Sequence, residues 1–156
     1  MTSIELHTTI NAPIECVFNL SRSIDFHMES ASQTREKAIA GTTTGLIGFG
    51  ETVTWRGKHF GLFLQHTSKI VDYEYPIKFT DVMIKGHFNY FGHQHFFENK
   101  DGQTIMRDVL KYRVPHGFLG KIFDRLFLRR HLSQFLKRRN VALKKHLEKP
   151  LYALDT

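Results

Sequence analysis

The sequence FLGKIFDRLFLRRHLSQFLKRRNVALKKHL, residues 118–147, decides the fold of this chain. It contains no proline and one glycine, and its apolar residues recur three and four positions apart, which predicts a helix. At about 100° per residue, one face consists of Leu119, Ile122, Phe123, Leu126 and Phe127, and another of Leu132, Leu136, Leu143 and Leu147. Because the two faces are rotated by more than about 90°, one straight helix cannot pack both against one core. We therefore predict a bend or break near residues 128–131.

Residues 3–114 have the pattern of strands separated by turns. Residues 3–10 alternate polar and apolar side chains, as in a half-buried strand. Two short helices are predicted next, over 14–20 and 23–30. Six further strands are predicted over 35–39, 51–55, 59–73, 79–85, 88–98 and 104–114. Turns are predicted at 56–57, 75–76, 85–86 and 99–102, and Asp101-Gly102 is the strongest hairpin signal among them.

This order of elements predicts an α+β fold in a single domain, residues 1–156. The connections are mostly short, so the simplest sheet is an antiparallel meander. The long amphipathic helix comes last and must cover one face of that sheet. We therefore predict a curved seven-stranded antiparallel sheet around a long C-terminal helix, with two short helices after the first strand.

Positive charge is concentrated in the C-terminal helix. The formal net charge is +7, and residues 118–149 contribute +8 from ten Lys or Arg and two acidic residues. A basic helix suits an anionic membrane, nucleic acid or an acidic partner, but it is also an ordinary solvated outer face. No nucleic-acid-binding motif is present, so we expect no nucleic-acid partner.

The single cysteine and the N-terminus predict a cytoplasmic protein. Cys16 cannot form an intramolecular disulfide, which fits a reducing compartment, and a buried thiol is the default expectation for it. The first ten residues alternate in polarity and do not read as a signal peptide. The sequence has no run of about 18 apolar residues, so we expect no membrane-spanning helix.

Alternation along the predicted strands assigns candidate pocket residues. Arg107, Lys111 and Arg113 must face solvent, so the opposite side of their strand faces inward. The inward sets are Met106, Asp108, Leu110 and Tyr112; Phe91, His93, His95 and Phe97; and Phe79, Asp81 and Met83, for which Thr80, Val82 and Ile84 compete. Trp55, Leu119, Phe123 and Phe127 complete the candidate walls, with His59 beside Trp55. The 14 Phe, 5 Tyr and 1 Trp indicate either a lined cavity or a Phe-rich core.

Asp81, His93, His95 and Asp108 are the candidate polar groups of this pocket. Two imidazoles and two carboxylates on one face can bind a metal ion, act as general acid and base, or anchor a polar ligand group. Buried His and Asp side chains more often satisfy one another, so we assign no metal ligand from the sequence. No nucleophile motif or phosphate-binding loop is present.

Three stretches carry a resemblance to a known family. They are NAPIECVF (11–18), YPIKFTDVMIKGHFNYFGHQHFF (75–97) and RDVLKYRVPHGFLGKIFDRLFL (107–128), the last followed by a basic helix. The chain resembles the ligand-binding SRPBCC branch of the START/Bet v 1-like superfamily over residues 4–147. The resemblance implies a helix-grip fold with a cavity between the concave face of the sheet and the C-terminal helix.

The resemblance also implies a range of functions. The superfamily includes carriers of lipids, quinones and polyketides as well as enzymes, so we expect a carrier or sensor of a hydrophobic or amphipathic small molecule or lipid, without a cofactor. One alternative is a polyketide cyclase- or dehydratase-like enzyme that uses His93 or His95 as acid or base. Another is an interaction module that acts through the basic helix. The apolar face of residues 119–127 is a candidate lid or contact with an anionic membrane.

Overall fold

The computed structural model describes residues 1–149, and its elements follow the predicted order. The strands are β1 (Thr2–Ile10), β2 (Lys37–Gly41), β3 (Thr52–His59), β4 (Leu62–Glu74), β5 (Lys78–Lys85), β6 (Tyr90–Lys100) and β7 (Gln103–Arg113). The helices are α1 (Ile14–Ser21), α2 (Ile24–Ser30), α3 (Gly117–Phe123) and α4 (Arg129–Leu147), with a 3-10 turn at Ser32–Thr34. The predicted α+β arrangement is confirmed.

The seven strands form one antiparallel sheet. Their order is β1-β7-β6-β5-β4-β3-β2, so β2 to β7 form the predicted meander and β1 pairs with β7. Register shifts interrupt the pairing of β2 with β3 and of β4 with β5. Bulges of this kind bend a strand and increase its twist, which favours a sheet that folds around a helix.

The core lies between this sheet and the helices. The ring of Phe18, on α1, meets Tyr73, Phe79 and Phe97 edge to face, with ring centroids 5.1–5.5 Å apart. From α4, Leu136 and Leu143 are buried. Burying a side chain of this size stabilises the fold by about 1.5–3 kcal/mol, so α1 and α4 are both held on the sheet by apolar contacts.

The C-terminal helix is continuous through residues 128–131, where the sequence predicted a bend or break. It is helical from Gly117 to Leu147, and a π-helical turn, Asp124–Leu128, joins α3 to α4. A π-helical turn inserts residues into the α-helical repeat, so it rotates the apolar face without ending the helix. Among residues 1–149, no helix is both long enough and apolar enough to cross a membrane.

Two local predictions are wrong. Residues 56–57 continue strand β3, and the hairpin turn is at Phe60-Gly61, where both residues have positive φ angles. Phe rarely adopts this backbone conformation, so the sequence carried a weak turn signal there. Cys16 is exposed rather than buried, because α1 turns Val17 and Phe18 toward the core instead.

Candidate functional site: a cavity between the sheet and the C-terminal helix

A cavity of about 190 Å³ lies between the inner face of the sheet and helix α4. This is far larger than the roughly 10–15 Å³ needed to hold one water molecule. Nine of the candidate pocket residues line it: Trp55, His59, Phe79, Asp81, Met83, Phe91, His93, His95 and Leu110. On β5, Phe79, Asp81 and Met83 therefore face inward, which is the alternative that we preferred over Thr80, Val82 and Ile84.

Four predicted wall residues lie outside the cavity lining. Phe97 and Met106 are buried in the hydrophobic core with Phe18. Tyr112 is buried in a second cluster with Leu128, and its hydroxyl donates a hydrogen bond to Asp124. Asp108 is not in the lining either, but its carboxylate contacts His93 and His95, which are. Strand alternation identified the correct face, but it does not tell which inward residues another element covers.

Leu119, Phe123 and Phe127 do not reach the cavity at all. Their side chains are 75%, 43% and 56% exposed, and Leu128 lines the cavity from this part of the chain instead. The face that was predicted to form part of the pocket wall points to solvent, because the π-helical turn directs Asp124 and Leu128 inward. The sequence pattern showed that these residues share a face, but not which side of the molecule that face is on.

The polar group at the β5–β7 side of the cavity consists of Asp81, His93, His95 and Asp108. Nε2 of His93 donates a hydrogen bond to Oδ1 of Asp108 over 3.1 Å. Nδ1 of His95 lies 2.8 Å from the same oxygen without the alignment of a hydrogen bond. Nε2 of His95 is 3.5 Å from Oδ2 of Asp81. The two imidazoles thus lie between two carboxylates, with ring centroids 3.8 Å apart.

The two histidines differ in their electrostatics. Burial, and then the neighbouring His95, lower the pKa of His93. Burial also opposes protonation of His95, but Asp108 and Asp81 outweigh it and raise the pKa of His95. Both carboxylates keep lowered pKa values despite burial, since the imidazoles stabilise their charge. The arrangement therefore pairs a neutral imidazole with one that is readily protonated, which suits proton transfer or the binding of a polar group.

Helix α4 fixes Asp108 from behind. Nδ2 of Asn140 donates to Oδ2 of Asp108 over 2.7 Å. Nη2 of Arg139 donates to the carbonyl oxygen of Ser21 over 2.7 Å, and Nη1 lies 4.0 Å from Oδ1 of Asp108. The fully buried carboxylate of Asp108, on β7, thus contacts side chains from both β6 and α4. These contacts fix the orientation of the two imidazoles in front of it.

A second polar group lines the cavity, and of its members only His59 was a candidate from the sequence. The buried Glu36 accepts a hydrogen bond from Nε2 of His27 over 2.6 Å, and Nε2 of His59 lies 3.4 Å away. The His27 ring stacks on Trp55 at 4.1 Å between ring centroids. Glu36 and His27 come from a loop and a short helix, and no pattern along the sequence brings them together. The only signal was the unusual number of histidines, ten in the chain.

Burial alone would raise the pKa of Glu36, but the hydrogen bonds from His27 and His59 outweigh it and lower that pKa strongly. Nearby, His66 also lines the cavity, and burial lowers its pKa. Glu36 is therefore a buried, charged acceptor among three histidines. Such a group holds its donors firmly and attracts cationic or hydroxyl groups of a ligand.

Comparisons with known proteins point to one fold. No protein-family model matches the sequence, and no curated protein matches it. Among solved structures, that of TTHA0849 from Thermus thermophilus is similar, with a TM-score of 0.76 and 14% identity over 99% of this chain and 100% of that chain. A START superfamily protein from Mycobacterium smegmatis has a TM-score of 0.70 and 11% identity over 94% of this chain and 97% of that one.

A plant protein is similar to the same extent. The major latex-like protein 151 from Panax ginseng has a TM-score of 0.70 and 13% identity, over 95% of this chain and 98% of its own. At such identities the likeness is one of fold. It extends over nearly the whole length of all three proteins, so the sheet, the short helices and the C-terminal helix all take part in it.

Proposed function

The chain has the helix-grip fold of START superfamily and Bet v 1-like proteins, and we propose that it is a carrier or sensor that binds a hydrophobic or amphipathic small molecule, such as a lipid, in its cavity. One observation carries this proposal: the space between sheet and helix α4 has mostly apolar and aromatic walls and two separate polar groups. Cavities of this composition hold an apolar body and orient it by a few polar contacts.

The two polar groups favour an amphipathic ligand. The aromatic side chains of Trp55, Phe79 and Phe91 supply flat apolar surface, and burial of such surface contributes about 25 cal/mol per Å². The Glu36 group and the His93–His95 group offer charged or imidazole partners at two sides of the same space. A ligand with oxygen or nitrogen groups on an apolar skeleton would satisfy both.

Native mass spectrometry and organic extraction of the purified protein test this proposal first. We expect a bound apolar compound, or uptake of the fluorescent probe anilinonaphthalene sulfonate at one equivalent by the folded protein. Ser68 lines the cavity, so Ser68→Phe fills it and should weaken probe binding by about tenfold or more. Ser3→Phe, on an exposed position of β1, is the matched control. Equal probe affinity of wild type and Ser68→Phe would contradict the proposal.

One observation favours a second candidate, an enzyme of the polyketide cyclase or dehydratase type. His93 faces the cavity and donates Nε2–H to the buried Asp108, so its Nδ1 carries the free lone pair of a neutral ring. A histidine oriented by a carboxylate in this way is suited to general base catalysis. His93→Gln should then abolish conversion of the compound extracted from the protein while binding persists. Unchanged product formation by His93→Gln and His95→Gln would exclude it.

The exposed face of α3 and the π-helical turn supports peripheral contact with an anionic membrane. Phe118, Leu119, Leu126 and Phe127 are all more than half exposed. Phe60, at the β3–β4 turn, packs on Phe123 and extends this apolar surface. Basic residues border it: Lys121, Arg125 and Arg129 are exposed. An apolar face bordered by cations is typical of segments that lie in a lipid interface.

Sedimentation with phosphatidylserine-containing vesicles tests the membrane contact. We expect wild type to bind at low salt and the double variant Leu119→Ser, Phe127→Ser to lose binding. Val141→Ser, which removes an exposed apolar side chain elsewhere on the helix, should bind like wild type. Absence of wild-type binding at low salt, or equal binding to neutral phosphatidylcholine vesicles, would contradict an anionic membrane partner.

A further inference from the structure

We propose that Asp81, His93 and His95 form a binding site for a divalent transition-metal ion, with open coordination positions directed into the cavity. Asp81 and His93 are direct cross-strand partners of β5 and β6, and His95 follows two residues later on the same face of β6. All three side chains line the cavity, so an ion held by them would contact whatever molecule the cavity contains.

The distances fit a site that closes with little movement. Each of the three side chains offers one donor atom within 4.8 Å of the other two. Nε2 of His95 and Oδ2 of Asp81 are 3.5 Å apart, and two donors in a tetrahedral site with bonds of about 2.0–2.2 Å lie about 3.3–3.6 Å apart. That pair is already at ligand spacing, and His93 supplies the third donor atom within 4.8 Å of both.

Asp108 supplies the support that metal-binding imidazoles require. Its Oδ1 accepts from Nε2 of His93 and lies 2.8 Å from Nδ1 of His95. This leaves Nδ1 of His93 and Nε2 of His95 as the nitrogens free to coordinate. A carboxylate behind each ligating histidine fixes the ring orientation and raises the basicity of the coordinating nitrogen. Asn140, on α4, fixes Asp108 in turn.

The donor set determines the class of ion. Two imidazoles and one carboxylate suit Zn²⁺, Fe²⁺ or Co²⁺, whereas Ca²⁺ and Mg²⁺ prefer sites made of oxygen donors. Three protein ligands leave at least one position open, which is the arrangement of metal sites that bind a further ligand. A carbonyl, carboxylate or hydroxyl oxygen of the cavity's occupant could take that position. The competing interpretation is that Asp81 and Asp108 serve only as ion-pair partners of the histidines.

Titration of the EDTA-treated protein with Co²⁺ distinguishes the two interpretations. We expect saturation at one equivalent, with visible d–d absorption that is lost when Zn²⁺ is added in competition. His93→Gln, His95→Gln and Asp81→Asn should each weaken Co²⁺ binding by at least about 10–100-fold, the range known for disturbed metal sites. Asp108→Asn should weaken it within the same range by loosening both rings.

One control variant and one further measurement complete the test. His7→Gln removes an exposed histidine outside the site and should bind Co²⁺ like wild type. In wild type, the ring nitrogen signals of His93 and His95 should shift on Zn²⁺ addition, which tests the site even if a variant fails to fold. Absence of saturable binding, binding that survives both His93→Gln and His95→Gln, or shifts confined to other histidines would each overturn the proposal.

Discussion

Nδ1 of His59, at the end of strand β3, lies 3.0 Å from Nε2 of His131, in the first turn of helix α4. The contact joins the end of strand β3 to the helix that covers the cavity. Nε2 of His59 faces the Glu36 carboxylate. A carboxylate only accepts hydrogen bonds, so Nε2 of His59 carries the ring proton. Nδ1 of His59 is then the acceptor, and Nε2 of His131 donates to it. This hydrogen bond persists when His131 takes up a proton, but the added charge then lies in a partly buried site beside His59 and near Arg138.

This contact predicts a loss of stability in mild acid. Burial, followed by the neighbouring His59 and Arg138, lowers the pKa of His131 below its usual value. The unfolded chain then binds more protons than the folded one as the pH falls through about 6.5. The contribution of His131 to stability is present above that pH and is lost below it. His131→Gln should show a shallower decrease of the melting temperature between about pH 7 and 5.

Thermal unfolding followed by circular dichroism measures this difference. The Gln side chain keeps an amide that can bond His59 but cannot be protonated, so the comparison isolates titration. His7→Gln, which removes an exposed histidine, is the matched control and should follow wild type. Parallel pH profiles of wild type and His131→Gln would contradict the prediction.

Removing the charge of Glu36 should destabilise the protein near neutral pH. Its carboxylate is buried and holds His27 and His59, and losing a charge-assisted hydrogen bond of this kind costs about 1.5–3 kcal/mol. Burial opposes the charge, but the two histidines outweigh it and depress the folded-state pKa of Glu36. Its contribution is therefore present above about pH 4.5 and decreases as the pH falls further.

The free energy of unfolding of Glu36→Gln, measured by urea denaturation, checks this. We expect the deficit relative to wild type to be largest near neutral pH and to narrow below about pH 4.5. Glu5→Gln removes a carboxylate from the surface and should change stability by less than about 0.5 kcal/mol. A deficit that stays constant with pH would show that packing, and not the charge of Glu36, causes it.

The fold was predictable because its signals are periodic and local. The two-residue period of β6 and β7 placed Phe91, His93, His95 and Leu110 on the inner face, and these residues do line the cavity. The apolar spacing of residues 118–147 identified the final helix. Each signal depends on neighbours within one strand or a few helical turns, which is the range over which alternation and helical repeat hold.

The candidate site was only half predictable for the same reason. Glu36 contacts His27 and His59, and His59 in turn contacts His131, 72 residues further along the chain; no periodicity predicts such contacts. The helical repeat also could not predict that Leu119 and Phe127 are exposed to solvent. A repeat shows which residues share a face, whereas the tertiary packing of Asp124 and Leu128 decides where that face points.

Tyr112→Phe should destabilise the fold without affecting the cavity. Tyr112 donates from its hydroxyl to Asp124, in the π-helical turn, and Oγ1 of Thr2 donates to the other oxygen of the same carboxylate over 2.6 Å. Burial and the neighbouring Asp124 raise the pKa of Tyr112, so it remains a donor. Loss of a hydrogen bond to a charged group costs about 1.5–3 kcal/mol.

Urea denaturation and probe titration together test the role of Tyr112. The variant should unfold at lower urea concentration, while its affinity for anilinonaphthalene sulfonate matches that of wild type, because Tyr112 is outside the cavity lining. Tyr90→Phe, at an exposed tyrosine, is the control for removal of a hydroxyl. A large change in probe affinity with unchanged stability would place Tyr112 in the binding site after all.

Gly120→Ala should destabilise the protein, although alanine is the better helix former. In the interior of an exposed helix, this change stabilises by about 1 kcal/mol. A Cβ at residue 120, however, would overlap the carbonyl oxygen of Pro115 and lie 3.3 Å from a side-chain carbon of Val114. The nearest atom belongs to the backbone and cannot rotate away, so α3 must shift from its position after β7. Overpacking of this kind costs about 1–3 kcal/mol, which exceeds the gain in propensity. Thermal unfolding should show a lower melting temperature for Gly120→Ala, whereas Lys121→Ala, at the exposed neighbouring position, should leave it nearly unchanged. A higher melting temperature for Gly120→Ala would show that α3 is free to move and that helix propensity decides the outcome.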